Sequence, residues 1–389
     1  MEHSFGVYSV AQAVRGGGVA PVRQALLAAR QRTLAQVDAW ERALGDGLQV
    51  PRSATLNPPL WEWGHIGWFQ DRWIARNRQR GLGIRCDPDH PLDASALPRA
   101  DALYDSSRVA HATRWDLALP DRDATLAYLD AVLRRTLACL DALGTGPSHD
   151  ELYFFRLVAL HEEMHAEAGM YMGRAFGIPV PGTSRRAPPA PDDVFGVPAQ
   201  AFRVGYDGPG FAFDNELGAH DVALPAFEID ARPVSWRRFQ AFVDAGGYAQ
   251  PRWWSEEGWH WRSRERTVPP AAGPAAADDP AVHLSAHEAH AWCRWAGRRL
   301  PSEAEWECAA VTVPGFAWGE VWEWTASAFE PYDGFAAHPY RDYSAPWFGS
   351  RQVLRGACSA TAASLAHPRY RNFFEPHRTD VFAGFRSCA

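Results

Sequence analysis

Leu160-His161-Glu162-Glu163-Met164-His165-Ala166-Glu167 is the stretch richest in groups that can bind a metal or carry a proton. It lies in an apolar-periodic run from about Asp150 to Phe176, with no Pro before Pro179. The spacing predicts a helix, capped by Ser148 or Asp150. On it, His161 and His165 stand one turn apart and share a face. Two imidazoles so placed can hold one metal ion, as in the two-histidine zinc helices of metalloproteases. Glu167 sits six residues after His161, more than ~100° around the helix. It is a poor third ligand, so the missing ligands must come from elsewhere. Two core or surface histidines spaced by chance would give the same pattern.

The elements that must position this pair read as follows. Residues 1–18 end in Arg15-Gly16-Gly17-Gly18 and are expected to be a loose tail. Val22, Leu26, Leu27, Leu34, Val37 and Leu44 recur at helical spacing and predict a first long helix from about Pro21. In Leu56-Asn57-Pro58-Pro59, Asn57 suits an N-cap and Pro58 a first helical position, with the helix running to about Asn77. His65, Trp68, Phe69 and Trp73 fall near one stripe, so His65 points inward among aromatics. By itself it reads as a core histidine. Residues 80–120 look irregular, and a third helix is expected at about Ala124–Ala142. With the histidine helix these make a four-helix bundle, where metal sites form from facing helices.

Residues 178–200 are a linker by composition. Beyond them come short apolar segments, many Gly, Trp pairs, and two clear helices at about Ser235–Ala245 and Ser285–Ala296. The 270–279 stretch is Ala/Pro-rich and reads as a loop. The fold class is therefore α+β, with a bundle domain at 19–178 and a second domain at 199–389.

The 389 residues suit two domains, or three small ones, and 47% hydrophobic residues can build sizeable cores. Eighteen Trp point to aromatic-walled cavities or a loop-rich fold pinned by indoles. A net charge of −7 gives no reason to expect nucleic acid. The six Cys are scattered without CxxC, against a disulfide framework or thiolate zinc site. The polar first residues do not read as a signal peptide, and no run reaches membrane-spanning length. A soluble cytoplasmic protein without membrane partners is expected; oligomeric state is not legible.

Four segments of the second half carry a family resemblance. They are Arg232-Pro233-Val234-Ser235-Trp236; His283-Leu284-Ser285 through Arg299-Leu300-Pro301-Ser302-Glu303-Ala304-Glu305-Trp306-Glu307; Val321-Trp322-Glu323-Trp324-Thr325; and Val353-Leu354-Arg355-Gly356 through Gly384-Phe385-Arg386. Together they resemble the domain of formylglycine-generating enzymes, which has a C-type-lectin-like fold. That enzyme itself binds copper through a close cysteine pair, and the corresponding stretch, Arg369 to Phe374, has none. The first half resembles the DinB-like bundle, whose metal site is one early His plus HxxxHxE; His65, His161, His165 and the trailing Glu167 match. The two joined resemble the ergothioneine/selenoneine synthases. The resemblance implies a non-haem iron enzyme that uses O2 to join a chalcogen donor to C2 of the imidazole of hercynine (Nα-trimethylhistidine). Fe(II) would be the cofactor, on His65, His161 and His165. Three neutral histidines leave open octahedral positions, and zinc would not supply redox chemistry.

Departures from the family bear on the donor. In members that take γ-glutamylcysteine, an Arg between the second and third helices binds the donor carboxylate. His111 aligns with it, while Arg114 matches a second Arg. The family's Asn-Trp-Asp and following Arg become Asn372-Phe373-Phe374 and Arg378, and a Gln becomes Met164. A cation and an anion are lost and apolar surface is gained. Losing a buried charge partner costs recognition. The resemblance thus points to the selenium branch, selenoneine synthase, with a selenosugar donor facing Phe373 and Phe374. It further implies Asn372 at the hercynine carboxylate, Phe373 near its trimethylammonium, Tyr343 lining that pocket, and Tyr340 as proton or electron donor. Alternatives are a sulfoxide synthase using γ-glutamylcysteine or cysteine, a zinc hydrolase or thiol transferase, and a non-catalytic ligand-binding module.

Overall fold

The computed structural model describes residues 2–181, 193–271 and 277–389. The middle of the expected linker, 182–192, and residues 272–276 of the Ala/Pro-rich stretch lie outside the described residues. Six helices come first: α1 (Glu2–Gly16), α2 (Val19–Leu44), α3 (Pro59–Trp73), α4 (Ala100–Tyr104), α5 (Arg122–Asp141) and α6 (His149–Ala175). Helix α6 packs on α2 and α3, and α3 packs on α5, which gives the four-helix bundle. Its core comes from residues at helical spacing such as Leu26, Phe69, Leu129, Phe154 and Leu160, all buried. Ser148 caps α6 in a reciprocal box with Glu151, which satisfies two end groups at once.

Four local expectations are corrected. Residues 2–18 of the expected tail are not loose. Helix α1 runs to Gly16, and Arg15 is fully buried with both terminal nitrogens 2.8 Å from Glu216 in the second domain. A forked guanidinium–carboxylate pair lets a charge be buried there. The glycines after Arg15 suggested slack, whereas Phe211 N–H donates to the Arg15 carbonyl. Asn57 is not a cap: Pro58 holds that position, and the Asn57 amide donates to Glu62 at 2.8 Å. Helix α3 ends at Trp73, short of Asn77, where the Arg76 side chain turns to Asp101. The "irregular" 80–120 stretch contains α4 and two 3-10 turns, Arg80–Arg85 and His111–Asp116.

The second domain has β1 (Val194–Val197), β2 (Gln200–Val204), β3 (His220–Leu224), β4 (Phe227–Asp230), α7 (Trp236–Asp244), α8 (Glu256–Glu265), α9 (Ala286–Trp295), α10 (Glu303–Thr312), β5 (Trp322–Ala328), β6 (Gln352–Gly356), β7 (Asn372–Phe374) and β8 (Ala383–Phe385). Strands β1–β4 and β2–β3 form two antiparallel ladders. A four-stranded sheet runs β7-β6-β5-β8, with β5–β8 parallel. Helices α8 and α10 exceed the two that periodicity suggested. Both begin at a serine cap, and Ser302/Glu305 at α10 is a full capping box. Among the described residues no helix is long and apolar enough to cross a membrane.

Candidate metal centre

His65 on α3 and His161 and His165 on α6 converge, with one ligand atom from each lying within 4.8 Å of the others. His161 Nε2 and His165 Nε2 are 3.1 Å apart. Two of the other ring nitrogens are spoken for. His65 Nδ1 is 2.8 Å from the Tyr104 carbonyl, which can only accept, so Nδ1 carries the proton and Nε2 keeps its lone pair. His165 Nδ1 is 2.6 Å from Glu62 Oε1 and is oriented the same way. Gly64 permits this arrangement, since a Cβ there would lie 2.2 Å from the Tyr104 ring.

Aromatic rings fix the ligands further. His65 stacks on Trp61, one turn before it (4.9 Å between ring centres), and on Trp68, one turn after it (5.4 Å). Phe69 lies flat on His161 at 3.6 Å. Burial pushes the His65 pKa down to about 3 and that of His161 well below the ordinary value. Both rings are held neutral, as metal ligation requires. Burial opposes ionisation of Glu62, yet the His165 ring and its hydrogen bond hold the carboxyl at about 2. An imidazole backed by a carboxylate is the usual outer shell of a metal ligand.

This geometry fits a metal ion. Two imidazole nitrogens bound at ~2.1 Å and a right angle stand ~3 Å apart, which is the His161–His165 separation. Without an ion the same separation suits an N–H···N hydrogen bond between the two rings. Glu167, a poor third ligand by its helical angle, has hydrogen-bond partners elsewhere. Its carboxylate accepts hydrogen bonds from Trp322 Nε1 and Thr361 Oγ1 of the second domain. It joins the domains one turn from the ligands.

The second domain adds tyrosines. Tyr340 meets Phe69 edge-on at 4.8 Å and lies 6.1 Å from the His161 ring. Burial raises the pKa of its hydroxyl far above the ordinary value. Its loop is clamped at both ends. Tyr153 on α6 bonds His338 Nδ1 at 2.9 Å, and Asp214 accepts from His338 N–H and Ser344 Oγ. Tyr343 and Tyr370 hydroxyls are 3.0 Å apart and lie 4.0 and 3.4 Å from Met164 Sδ. Tyr370 was missed by sequence reasoning; its only signal lay in a stretch read for absent cysteines.

Comparison with known proteins agrees with this layout. Residues 25–168 match the DinB superfamily, and residues 180–317 and 316–389 match the sulfatase-modifying factor enzyme 1-like domain. The hercynine oxygenase of Mycolicibacterium smegmatis is 32% identical over 433 aligned positions, covering 93% of this chain and 96% of that protein. The hercynine oxygenase of Mycobacterium tuberculosis is 31% identical, covering 93% and 96%. The chain belongs to the hercynine oxygenase family, the ergothioneine synthases. The formylglycine-generating enzyme of Streptomyces coelicolor is 28% identical over 42% of this chain and 76% of its own length.

For this family member, the remaining expected site residues are placed as follows. Phe373 stacks on Phe329 at 4.0 Å and meets Tyr343 edge-on at 6.0 Å. It sits between Asn372 and Phe374 on β7. Arg378 forks onto Asp380 at 2.6 Å and lies 5.4 Å from the Phe374 ring. His111 Nε2 bonds the Leu56 carbonyl at 3.1 Å. Arg114 is buried, 3.7 Å over the Trp61 ring, with Nη1 on Asn57 Oδ1 at 2.7 Å. A chain of contacts therefore runs Arg114–Asn57–Glu62–His165. The structure brings His65, His161, His165, Tyr340, Tyr343 and Met164 together. It ties Arg114 and Arg378 to protein partners.

Proposed function

We propose that this chain joins a chalcogen to C2 of the hercynine imidazole in an O2-dependent reaction, with Fe(II) held by His65, His161 and His165. The reading rests on the convergence of three imidazole nitrogens within 4.8 Å, in a chain similar over 93% of its length to hercynine oxygenases. When bound, Fe(II) supplies redox chemistry with O2 that no side chain offers. The protein groups do the rest. Glu62 and the Tyr104 carbonyl orient two ligands. Tyr340 stays protonated at neutral pH because it is buried, and so can deliver a proton beside His161. Asn372 takes the hercynine carboxylate, and Phe373 with Tyr343 offers an aromatic face to the trimethylammonium.

The donor we infer is a selenosugar, giving a hercynyl selenoxide that still carries the sugar; cleavage of the selenium–sugar bond and reduction by an external thiol, in a separate step, would release selenoneine. Where a charged peptide donor would need counter-charges, this chain has His111, Phe374 and Met164. The Arg378 charge is met by Asp380. A sulfur donor, γ-glutamylcysteine or cysteine, is the second reading, favoured by the hercynine oxygenase relatives.

The test is turnover by enzyme loaded with iron under anaerobic conditions. Hercynine and O2 are offered with a selenosugar, γ-glutamylcysteine or cysteine in separate tubes, read by mass spectrometry. A selenium isotope pattern on a hercynine-derived mass, only with the selenosugar, is the expected result. A sulfoxide from γ-glutamylcysteine would replace the donor assignment. No product from any donor, with iron bound, would overturn the reaction.

A further inference from the structure

Beside the three histidines, two tyrosine hydroxyls are bonded to each other and to a sulfur. The Tyr343 and Tyr370 hydroxyls stand 3.0 Å apart. Met164, the residue before His165, places its Sδ 3.4 Å from the Tyr370 hydroxyl and 4.0 Å from that of Tyr343. The rings are fixed. Tyr343 stacks on Phe213 at 4.5 Å, while Tyr370 meets Phe213 edge-on at 5.4 Å and tilts against Trp322 at 5.7 Å. Phe213 is held in turn, since its backbone N–H donates to Glu216, the partner of buried Arg15. Only the hydroxyl hydrogens are left to choose a direction.

Counting hydrogens makes that choice. A thioether sulfur can accept but has no hydrogen to give, and each phenol has one. Burial raises the pKa of both tyrosines well above the ordinary value, so both stay protonated at neutral pH. Sulfur is a weak acceptor, so the shorter contact decides: Tyr370 donates to Met164 Sδ at 3.4 Å. Tyr343 then donates to the Tyr370 oxygen at 3.0 Å. The opposite order would spend the Tyr370 hydrogen on Tyr343 and leave Tyr343 reaching for sulfur at 4.0 Å. Burial is the main cause of both pKa shifts, but the shared bond adds to the rise at Tyr343 and works against it at Tyr370, as befits a donor and its acceptor. The Tyr343 oxygen is left with lone pairs alone.

Tyr343 lies 5.9 Å from Tyr340 and 6.0 Å from Phe373, on the face proposed for hercynine. With a neutral imidazole, hercynine has a single hydrogen-bond donor. Its ammonium is fully methylated and its carboxylate ionised, so only the ring N–H remains. We propose that Tyr370 is a positioning residue: with Met164 it turns the Tyr343 hydrogen away from the pocket, so that Tyr343 meets the substrate as an acceptor and takes the ring N–H. The other ring nitrogen then keeps its lone pair. The same engagement of the Tyr343 hydrogen leaves proton delivery to Tyr340. The proposal rests on the hercynine reading above and adds how one tautomer of that ring is selected.

The test separates the two. Full-length, iron-loaded protein is titrated with hercynine by calorimetry under anaerobic conditions, for wild type, Tyr343→Phe, Tyr370→Phe, Met164→Leu and the Tyr343→Phe/Tyr370→Phe pair. Without its acceptor the Tyr343 hydroxyl is free to turn its hydrogen into the pocket. Tyr370→Phe should therefore weaken hercynine about fivefold, the loss of one neutral hydrogen bond. The pair should be no worse than Tyr343→Phe alone, because both changes act through one acceptor, whereas side chains that merely pack would add their losses. Met164→Leu removes the sulfur at similar size and should reproduce part of the loss, so it carries the test if Tyr370→Phe does not fold. In turnover, Tyr370→Phe should raise the hercynine KM and leave kcat near wild type. Neutron diffraction from deuterium-exchanged crystals reads the hydroxyls directly, with the Tyr370 deuteron expected toward Met164 Sδ and that of Tyr343 toward the Tyr370 oxygen. The reverse order of deuterons, additive losses in the pair, or a Tyr370→Phe loss confined to kcat overturns the proposal. Hercynine binding that depends on Tyr370, with no product from any donor, would sink the reaction and leave the proposal standing. Product formation with hercynine affinity indifferent to Tyr343→Phe and Tyr370→Phe would do the opposite.

Discussion

The bundle and the second domain bring groups to one point by different means. All three histidines sit on regular helices, α3 and α6, whose periodicity sets their directions. Tyr340 and Tyr343 sit on a loop between β5 and β6, held by His338, Ser344 and Asp214 rather than by a ladder. Ligands must be rigid to impose a geometry, and helices supply that rigidity. A group that acts on bound substrate can sit on a loop, provided its ends are fixed. The division implies that binding the ion and using it are separable, and each experiment below can break that claim.

The largest effect should come from the ligands. His161→Ala or His165→Ala should lower iron affinity by more than about 100-fold, since even outer-shell losses cost 10- to 100-fold. Metal analysis after desalting checks this, and full iron occupancy would show the bundle does not own the site. Tyr340→Phe should leave iron content at the wild-type value while slowing product formation about 10²- to 10⁴-fold, the range for a lost proton donor. Loss of iron in that variant would merge the two roles. Glu62→Gln keeps size but weakens the hold on His165 Nδ1, and about a tenfold drop in iron affinity is expected by competitive chelation.

Glu167→Ala sharpens the comparison from the interface. It strands Trp322 Nε1 and Thr361 Oγ1, each buried, so unfolding free energy should fall by about 1–3 kcal/mol. Iron affinity should stay near wild type, because Glu167 touches no ligand-ring nitrogen. Denaturant titration and metal binding read the two quantities separately.

The smallest and most diffuse effect is on pH. Burial lowers the pKa of His283, His290 and His338, all in the second domain, from 6.5 to about 4. The unfolded chain takes up these protons first as pH falls. Stability is therefore fully present above pH ~6.5, declines between ~6.5 and ~4, and is lost below. Melting temperature against pH should show this slope. His338→Phe should flatten part of it, and an unchanged slope would remove His338 from the account.

The sequence made the bundle legible because helix signals are local. Ser148, one of the two expected caps, starts α6, and one-turn spacing places His161 with His165. The offset of Glu167, more than ~100° from His161, turns it off the histidine face, where it accepts from Trp322 of the second domain. The same local grammar was present but unread at α10, where Ser302 and Glu305 form a capping box. The run Arg299–Glu307 was read as a family motif, and its structural role is now visible: Glu305 pairs with Arg299, and Glu307 pairs with Arg355 and Arg369.

Other features were not legible because their cause lies far away in the chain. Arg15 looked like the end of a tail until Glu216, 201 residues on, was seen to bury it. Asn57 looked like a cap until Glu62 and Arg114 claimed its side chain. Tyr370 gained meaning only beside Tyr343 and Met164.

By itself the sequence determined which residues lie on which helix face, where helices begin, and that HxxxH could bind an ion, because hydrogen bonding and side-chain spacing over one or two turns decide these. Only the tertiary structure decided that His65 faces the pair and that Tyr340 reaches Phe69. Those contacts join segments dozens to hundreds of residues apart. Burial, paired charges and packed rings select them, and no local pattern encodes which distant partner will arrive.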